Sequence, residues 1–226
     1  MSKTSGPAVA IQQLLEKIYD VPSSCDISDF LITDSEIVAE LQQNPAAREV
    51  SEKVLVSEDG IYLDLSLYLD ADLLQRLRDE NPLERLYEQN LPDFFLLVEG
   101  ISHFLYLAWN GHHDKSVTLL ELELQAEVDK FITALHLFSR QGSDHVSDEI
   151  HRCLFEYSRF DKNLNSEHLA RYQHASRYAG KYCKTLYQRF MQRVRQPGLL
   201  AELRRFYRLP QSAKIRHIDT TFCAAV

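Results

Sequence analysis

Residues 94–109 read FFLLVEGISHFLYLAW, an apolar run that only a few polar side chains interrupt. The run follows Pro92, a residue that is common in the first turn of a helix. A helix that is apolar on nearly all sides is normally buried in the core of its protein. The sequence therefore predicts a buried helix that begins near Pro92 and continues to Trp109.

A second helix is expected after the turn Asn110–Asp114. The segment Thr118-Leu-Leu-Glu121 has the form of a capping box, and apolar residues then recur at helical spacing to about Arg140. Residues 120–129 also alternate with period two, as a strand would, but the capping box and the longer helical period favour a helix. The two helices predict an antiparallel hairpin over residues 93–140.

A small β-hairpin is predicted over residues 53–69. The pair Asp59-Gly60 separates two apolar runs, which is typical of a tight turn between antiparallel strands. In the second run, residues 61, 63, 65, 67 and 69 are all Ile or Leu, while the residues between them are mixed. One face of the hairpin should therefore be apolar and the other partly polar.

The remaining elements complete a mainly α fold. A long basic helix is expected from Asn165 or Ser166 to about Val194, and a tail from Pro210 onward. We predict a single domain over residues 1–226, a helical bundle made of the hairpin and the long helix, with the β-hairpin as an N-terminal element. Its parts would be a mixed α/β element (1–70), the bundle (71–209) and the tail (210–226). Shorter helices are expected at 8–19, 71–79, 82–87, 146–155 and 199–207.

Charge is distributed unevenly along the chain. Residues 168–226 hold 12 lysines and arginines against two acids, a net charge of +10, whereas the preceding residues hold 13 bases and 31 acids, a net charge of −18. Such a separation is typical of nucleic-acid binding or of two oppositely charged parts that dock on each other. We favour docking, either within the chain or onto a partner.

The central helix carries a candidate site at Glu99 and His103. These residues are four apart, so they lie on one face of a helix whose other side chains are apolar, where an unpaired charge is costly. In an antiparallel hairpin that turns near residue 113, His103 would lie level with Glu123, and Glu99 level with Glu127. Three carboxylates and an imidazole would suit acid–base catalysis or a divalent metal ion as cofactor.

A structural interpretation of the same four residues is also open, and we favour it. Glu123 and Glu127 would then face solvent, with Glu127 near Lys130 and Glu123 near a basic partner. Glu99 and His103 would be satisfied by Arg or Tyr from the long helix. Gly100, between the two candidate residues, often marks a place where a neighbouring element approaches a helix closely.

The long helix offers a second candidate site. Its basic residues alternate with tyrosines, a combination that suits phosphate contact and base stacking. Docking of these bases on the acidic part of the chain is the favoured interpretation, so nucleic acid is a possible but less favoured partner. The residues that would contact phosphate are Arg171, His174, Arg177 and Lys181.

The motifs of the most easily recognised enzymes do not occur in the sequence: no Gly-rich phosphate loop, His-Glu-x-x-His or Gly-x-Ser-x-Gly. Together with the separated charge, this favours a non-enzymatic interaction or scaffold protein that binds another protein or itself. A metal- or acid–base-dependent enzyme is the first alternative, and an RNA- or phosphate-binding protein is the second.

The expected location is the cytoplasm. The amino-terminal segment, residues 1–10, is short and polar and lacks the apolar region of an export signal. The apolar run of residues 94–109 is too short and too polar to predict a membrane span. The ending Cys223-Ala-Ala-Val226 has the outline of a prenylation box, but Val is not among the usual last residues. We therefore expect no association with a membrane.

Overall fold

The protein is mainly α with a small β element, as the sequence predicts. The computed structural model describes residues 6–22, 25–43, 50–60, 62–143, 147–156, 165–191 and 198–223. The chain divides into two compact units. Unit 1 comprises Met1–Glu16 and Val21–Lys115, and unit 2 comprises Lys17–Asp20 and Ser116–Val226.

Among its described residues, unit 1 contains a three-stranded sheet, four α-helices and one short 3-10 helix, Ile27–Phe30. The first of these helices ends within Lys17–Asp20, a segment that belongs to unit 2. The elements, in chain order, are α1 (Pro7–Tyr19), β1 (Leu31–Ile32), α2 (Ser35–Gln42), β2 (Glu52–Asp59), β3 (Tyr62–Leu69), α3 (Ala71–Asp79) and α4 (Leu91–His112).

The predicted β-hairpin is present as β2 and β3. The two strands pair antiparallel from Glu52 opposite Leu69 to Asp59 opposite Tyr62, and Gly60 in the turn has a φ of 63°. This left-handed backbone is the conformation that favours glycine. The short strand β1 pairs parallel with β3, which gives the sheet order β1-β3-β2 and leaves β2 at an edge.

Both faces of this sheet are covered near the carboxyl end of β3. One face carries Leu67, and α4 packs against it. The other face carries Tyr68, which is fully buried against Val38 of α2, with Ile32 and Leu55 at the margin of the cluster. The mixed face that the sequence predicts is thus apolar at this end because α2 packs on it.

Helix α4 is the buried central helix of unit 1. It is 22 residues long, three residues longer at its carboxyl end than predicted, and 12 of these residues are buried. The expectation that this segment is too short and too polar to span a membrane is wrong by length and composition, because the helix extends beyond residues 94–109, although 61% of its most apolar window is buried within the protein. The core helix of a globular protein has the same properties, so the cytoplasmic location stays a prediction.

The prediction of a helix at residues 82–87 is wrong. This segment forms turns, and polar side chains hold its backbone: Asn81 accepts a hydrogen bond from the backbone N–H of Leu83, and Asn90 donates to the carbonyl oxygens of Glu80 and Arg85. Asparagine side chains compete with helical hydrogen bonds in this way, and here they replace a helix.

All regular secondary structure in the described part of unit 2 is helical. Two π-helical segments, Arg152–Glu156 and Tyr187–Met191, continue its second and third helices. The helices are α5 (Leu119–Arg140), α6 (Ser147–His151), α7 (Ser166–Leu186), α8 (Leu199–Tyr207) and α9 (Gln211–Cys223).

The two long helices of unit 2 begin where the sequence predicts, and they pack together. Thr118 accepts a hydrogen bond from the backbone N–H of Glu121 at the start of α5, and Asn165 accepts one from His168 at the start of α7. The strand interpretation of residues 120–129 is therefore wrong. The polar residues that alternate with the leucines there, Glu121, Glu123 and Gln125, are buried as well, so the alternation does not mark a buried face and an exposed face. Since α4 belongs to unit 1 and α5 to unit 2, their pairing as a hairpin stays a prediction.

The predicted carboxyl-terminal tail is wrong for residues 211–223, which form α9. The helix docks through Lys214 and Ile218, which are four residues apart and fully buried. One of these two core positions is a lysine, so the apolar pattern was too weak to predict a helix. The predicted subdivision at residue 70 also differs from the boundary at Lys115, because β2 and β3 share a core with α4.

Candidate metal centre

A cluster of three potential metal ligands lies where α4 packs on β2 in unit 1. Glu99 and His103 project from α4, and Glu52 is the first residue of β2. Gly100 lies between the two helical ligands and allows the close approach. A Cβ atom at this position would lie 2.8 Å from the Cγ of Glu52 and 2.9 Å from the Cδ1 of Leu67. A larger residue at position 100 would hold the strand away from the helix.

The three side chains are close together and largely removed from solvent. His103 Nδ1 lies 3.6 Å from Glu52 Oε1, with side-chain exposures of 9% and 11%. One ligand atom from each residue, with Glu99 included, lies within 4.8 Å of the other two. Two carboxylates and an imidazole thus converge in a region of low solvent access, where their electrostatic interactions are poorly screened.

This ligand set suits a divalent transition metal. Oxygen and imidazole donors bind Zn²⁺, Mn²⁺ and Fe²⁺. In a tetrahedral site with metal–ligand bonds of about 2.1 Å the donor atoms lie about 3.4 Å apart, so donor atoms that lie within 4.8 Å of one another would have to approach by at most about 1.4 Å. Rotation of a glutamate side chain supplies a movement of that size. A network of contacts among the three side chains, such as the one between His103 and Glu52, is the alternative that needs no ion.

The structure brings together two of the four residues predicted for this site and adds one. Glu99 and His103 lie together, as their spacing predicts, and Glu52 is the carboxylate that sequence reasoning missed. A signal for it exists, because Glu52 precedes Val54 and Val56 with the period of two that defines the inward face of β2. A glutamate in that series lies on the apolar face of the sheet.

Glu123 and Glu127 belong to unit 2, where each has a basic neighbour. Arg171 Nε lies 3.9 Å from Glu123 Oε1, and Lys130 Nζ lies 2.7 Å from Glu127 Oε1. These basic neighbours agree with the structural interpretation, but its expectation that both glutamates face solvent is wrong, because Glu123 is buried and Glu127 is half-buried. A single site that contains all four predicted residues stays a prediction.

The predicted phosphate-binding residues lie on α7 and differ in exposure. Arg171 is half-buried beside Glu123, whereas His174, Arg177 and Lys181 are exposed. Lys181 Nζ lies 3.8 Å from Asp219 Oδ1 of α9. Two of the four residues thus contact acids within unit 2, and phosphate binding stays a prediction. The end of the prenylation-like sequence, residues 224–226, lies outside the described residues.

Unit 2 also contains a buried polar network that the sequence did not predict. Lys214 Nζ of α9 donates a hydrogen bond of 2.5 Å to Gln125 Oε1, and Gln125 Nε2 donates one of 3.0 Å to Asp129 Oδ1. Asp129 also accepts a hydrogen bond from the Tyr19 hydroxyl. Burial lowers the pKa of Lys214 to about 7, although Glu121 and Asp129 act to raise it. Burial has the opposite effect on the acidic hydroxyl of Tyr19: it raises the pKa of that group, and the nearby Asp129 raises it further.

Comparison of the chain with protein-family models, with curated proteins and with solved structures found no match. The chemistry of the side chains is therefore the basis for any functional conclusion.

Proposed function

We propose that this protein binds a divalent transition-metal ion through Glu52, Glu99 and His103. The observation that carries the proposal is the convergence of three potential ligands, within 4.8 Å of one another, where a helix packs on a strand. Burying two carboxylates is costly unless a positive charge compensates them, and a divalent ion supplies that charge.

Such an ion would connect β2 to α4. A ligand that binds the folded state and not the unfolded state stabilises the fold in proportion to the logarithm of its concentration. The metal is therefore expected to raise the stability of unit 1. Trp109, the single tryptophan of the chain, lies in α4, so its fluorescence reports the unfolding of this unit.

The test compares Glu52→Gln with Glu58→Gln. Glu58 lies on the same strand but is exposed, so its substitution makes the same chemical change outside the cluster. In calorimetric titrations with Zn²⁺ and Mn²⁺, we expect Glu52→Gln to weaken metal binding at least about tenfold. Removing a side chain that supports a bound metal ion commonly has an effect of this size. Glu58→Gln should bind like the unchanged protein.

The outcome against a metal site is equally specific. Purified protein that contains no metal by elemental analysis, and whose Trp109 unfolding transition does not move with millimolar Zn²⁺ or Mn²⁺, would leave the three residues as an internal ion-pair network. Weakening of binding by Glu58→Gln to the same extent as by Glu52→Gln would place the ion elsewhere.

A self-associating scaffold without catalytic activity is a second candidate function. It is favoured by exposed apolar side chains near the turn between strands β2 and β3. Val56 is 48% exposed and Tyr62 is 70% exposed. Exposed apolar residues beside an edge strand commonly mark a contact surface.

A further inference from the structure

The edge strand β2 offers an interaction surface that the metal site does not use. It is eight residues long, whereas β1 at the opposite edge has two residues. Within the described part of the chain, no strand pairs with the outer side of β2. Residues 56–59 are exposed, and the row of backbone donors and acceptors along an edge is a template for another strand.

We propose that β2 pairs antiparallel with β2 of a second copy of this chain, so that two three-stranded sheets join into one of six strands. A two-fold axis perpendicular to the sheet requires each residue to face a partner on the same side of the pleat. Only registers centred on a residue meet this condition, and they place that residue opposite itself.

Charge selects the register centred on Val56. Lys53 then lies opposite Asp59 of the second copy, and the symmetry creates this pair twice. The register centred on Leu55 instead places Glu52 opposite Glu58, which creates two repulsive pairs. Opposite charges across strands stabilise pairing and like charges oppose it, so the structure favours the first register.

The same register suits the apolar side chains. Val56 is 48% exposed in one copy and would contact Val56 of the second copy at the axis. Val56 lies on the same face as Val54 and its cross-strand partner Leu67, so the apolar faces of the two sheets would form one surface. Lysine on an edge strand normally prevents pairing, but here Asp59 would neutralise Lys53.

Sedimentation velocity of the full chain from about 5 to about 200 μM tests this proposal, a range in which weak dimers with micromolar dissociation constants are detected. We expect a concentration-dependent dimer. Val56→Lys places two like charges at the axis and should raise the dissociation constant at least about tenfold. The matched control Leu119→Lys makes a comparable change at a residue of unit 2 that is 59% exposed, and it should leave the dimer unchanged.

A charge exchange tests the register itself. Lys53→Glu should weaken the dimer, and adding Asp59→Lys should restore it because the pair is re-formed in reverse. A protein that stays monomeric up to about 200 μM would overturn the proposal. So would a dimer that persists in Val56→Lys, equal weakening by Leu119→Lys, or a double variant that remains weak.

The test for the dimer and the test for the metal ion are independent of each other. The sedimentation experiment is performed in the presence of a chelator, and the calorimetric titration of Glu52→Gln measures the ion directly. A failure of either proposal can therefore be assigned without reference to the other.

Discussion

Replacing Gly100 with valine is expected to lower the free energy of unfolding of unit 1 by about 3 kcal/mol, the upper part of the range for inserting atoms into a packed core. The first added carbon would lie 2.8 Å from Glu52 Cγ and 2.9 Å from Leu67 Cδ1. Leu67 is fully buried, so it cannot move aside without disturbing the sheet. The two further carbons of valine add to this overlap.

Gly111 provides the matched control, because it also lies on α4 where the helix meets the sheet. A Cβ atom there would lie 2.6 Å from Leu63 Cδ2, the far end of a flexible side chain that is 37% exposed. Leu63 can rotate into solvent, and Ala favours a helix over Gly by up to about 1 kcal/mol. Gly111→Ala should therefore be neutral or slightly stabilising, whereas Gly100→Ala should be destabilising.

Urea unfolding followed by Trp109 fluorescence measures this contrast. The decisive feature is that Gly100→Ala lowers the stability whereas Gly111→Ala does not, since helix propensity alone would make both substitutions stabilising. If Gly100→Ala stabilised unit 1, the close contact between α4 and β2 would not exist as described. The position of Glu52 beside the other two ligands would then lose its support as well.

The elements of the fold that sequence analysis predicted correctly are those with local signals. The capping box at Thr118 and the Asp-Gly turn at Gly60 act within a few residues, so a pattern along the chain contains them. Helix α9 was missed because its docking depends on Lys214, a lysine that is buried against side chains of α5 and α8.

The candidate site shows the same division between local and distant information. Glu99 and His103 could be predicted as a pair, because spacing along one helix places both on the same face. Glu52 could not be assigned to them, since 47 residues separate it from Glu99 and only the docking of α4 brings them together. The predicted partners, Glu123 and Glu127, were chosen from the next helix along the chain, whereas the carboxylate that lies beside Glu99 and His103 comes from strand β2.

Lys214 is expected to make the stability of unit 2 depend on pH. Its Nζ is fully buried between the Gln125 side chain and the rings of Phe206, at 4.7 Å, and Tyr207, at 6.0 Å. Burial lowers the pKa of Lys214 from 10.5 to about 7. Between these two values the unfolded chain binds a proton that the folded protein does not, so folding becomes more favourable as the pH rises.

The size of this effect follows from the same shift. One pKa unit corresponds to about 1.4 kcal/mol, so this lysine should add roughly 2 kcal/mol to the free energy of unfolding between pH 7 and pH 9. Below about pH 7 the lysine is protonated in both states, and the cost of burying its charge is fully present. Lys214→Met keeps a long side chain and removes the titration, so the variant should lack this rise.

The measurement is the difference between the protein and Lys214→Met in urea unfolding followed by circular dichroism, at several values between pH 6 and pH 9. Burial also raises the pKa values of Tyr19, Tyr182, Tyr207 and Cys183, but these groups are present in both proteins and cancel in the difference. Lys184→Met, at an exposed position of α7, should keep the full pH dependence.

Parallel curves for the protein and Lys214→Met would mean that Lys214 stays charged when buried. The carboxylates of Glu121 and Asp129 would then outweigh desolvation, and α9 would be docked by an ion pair.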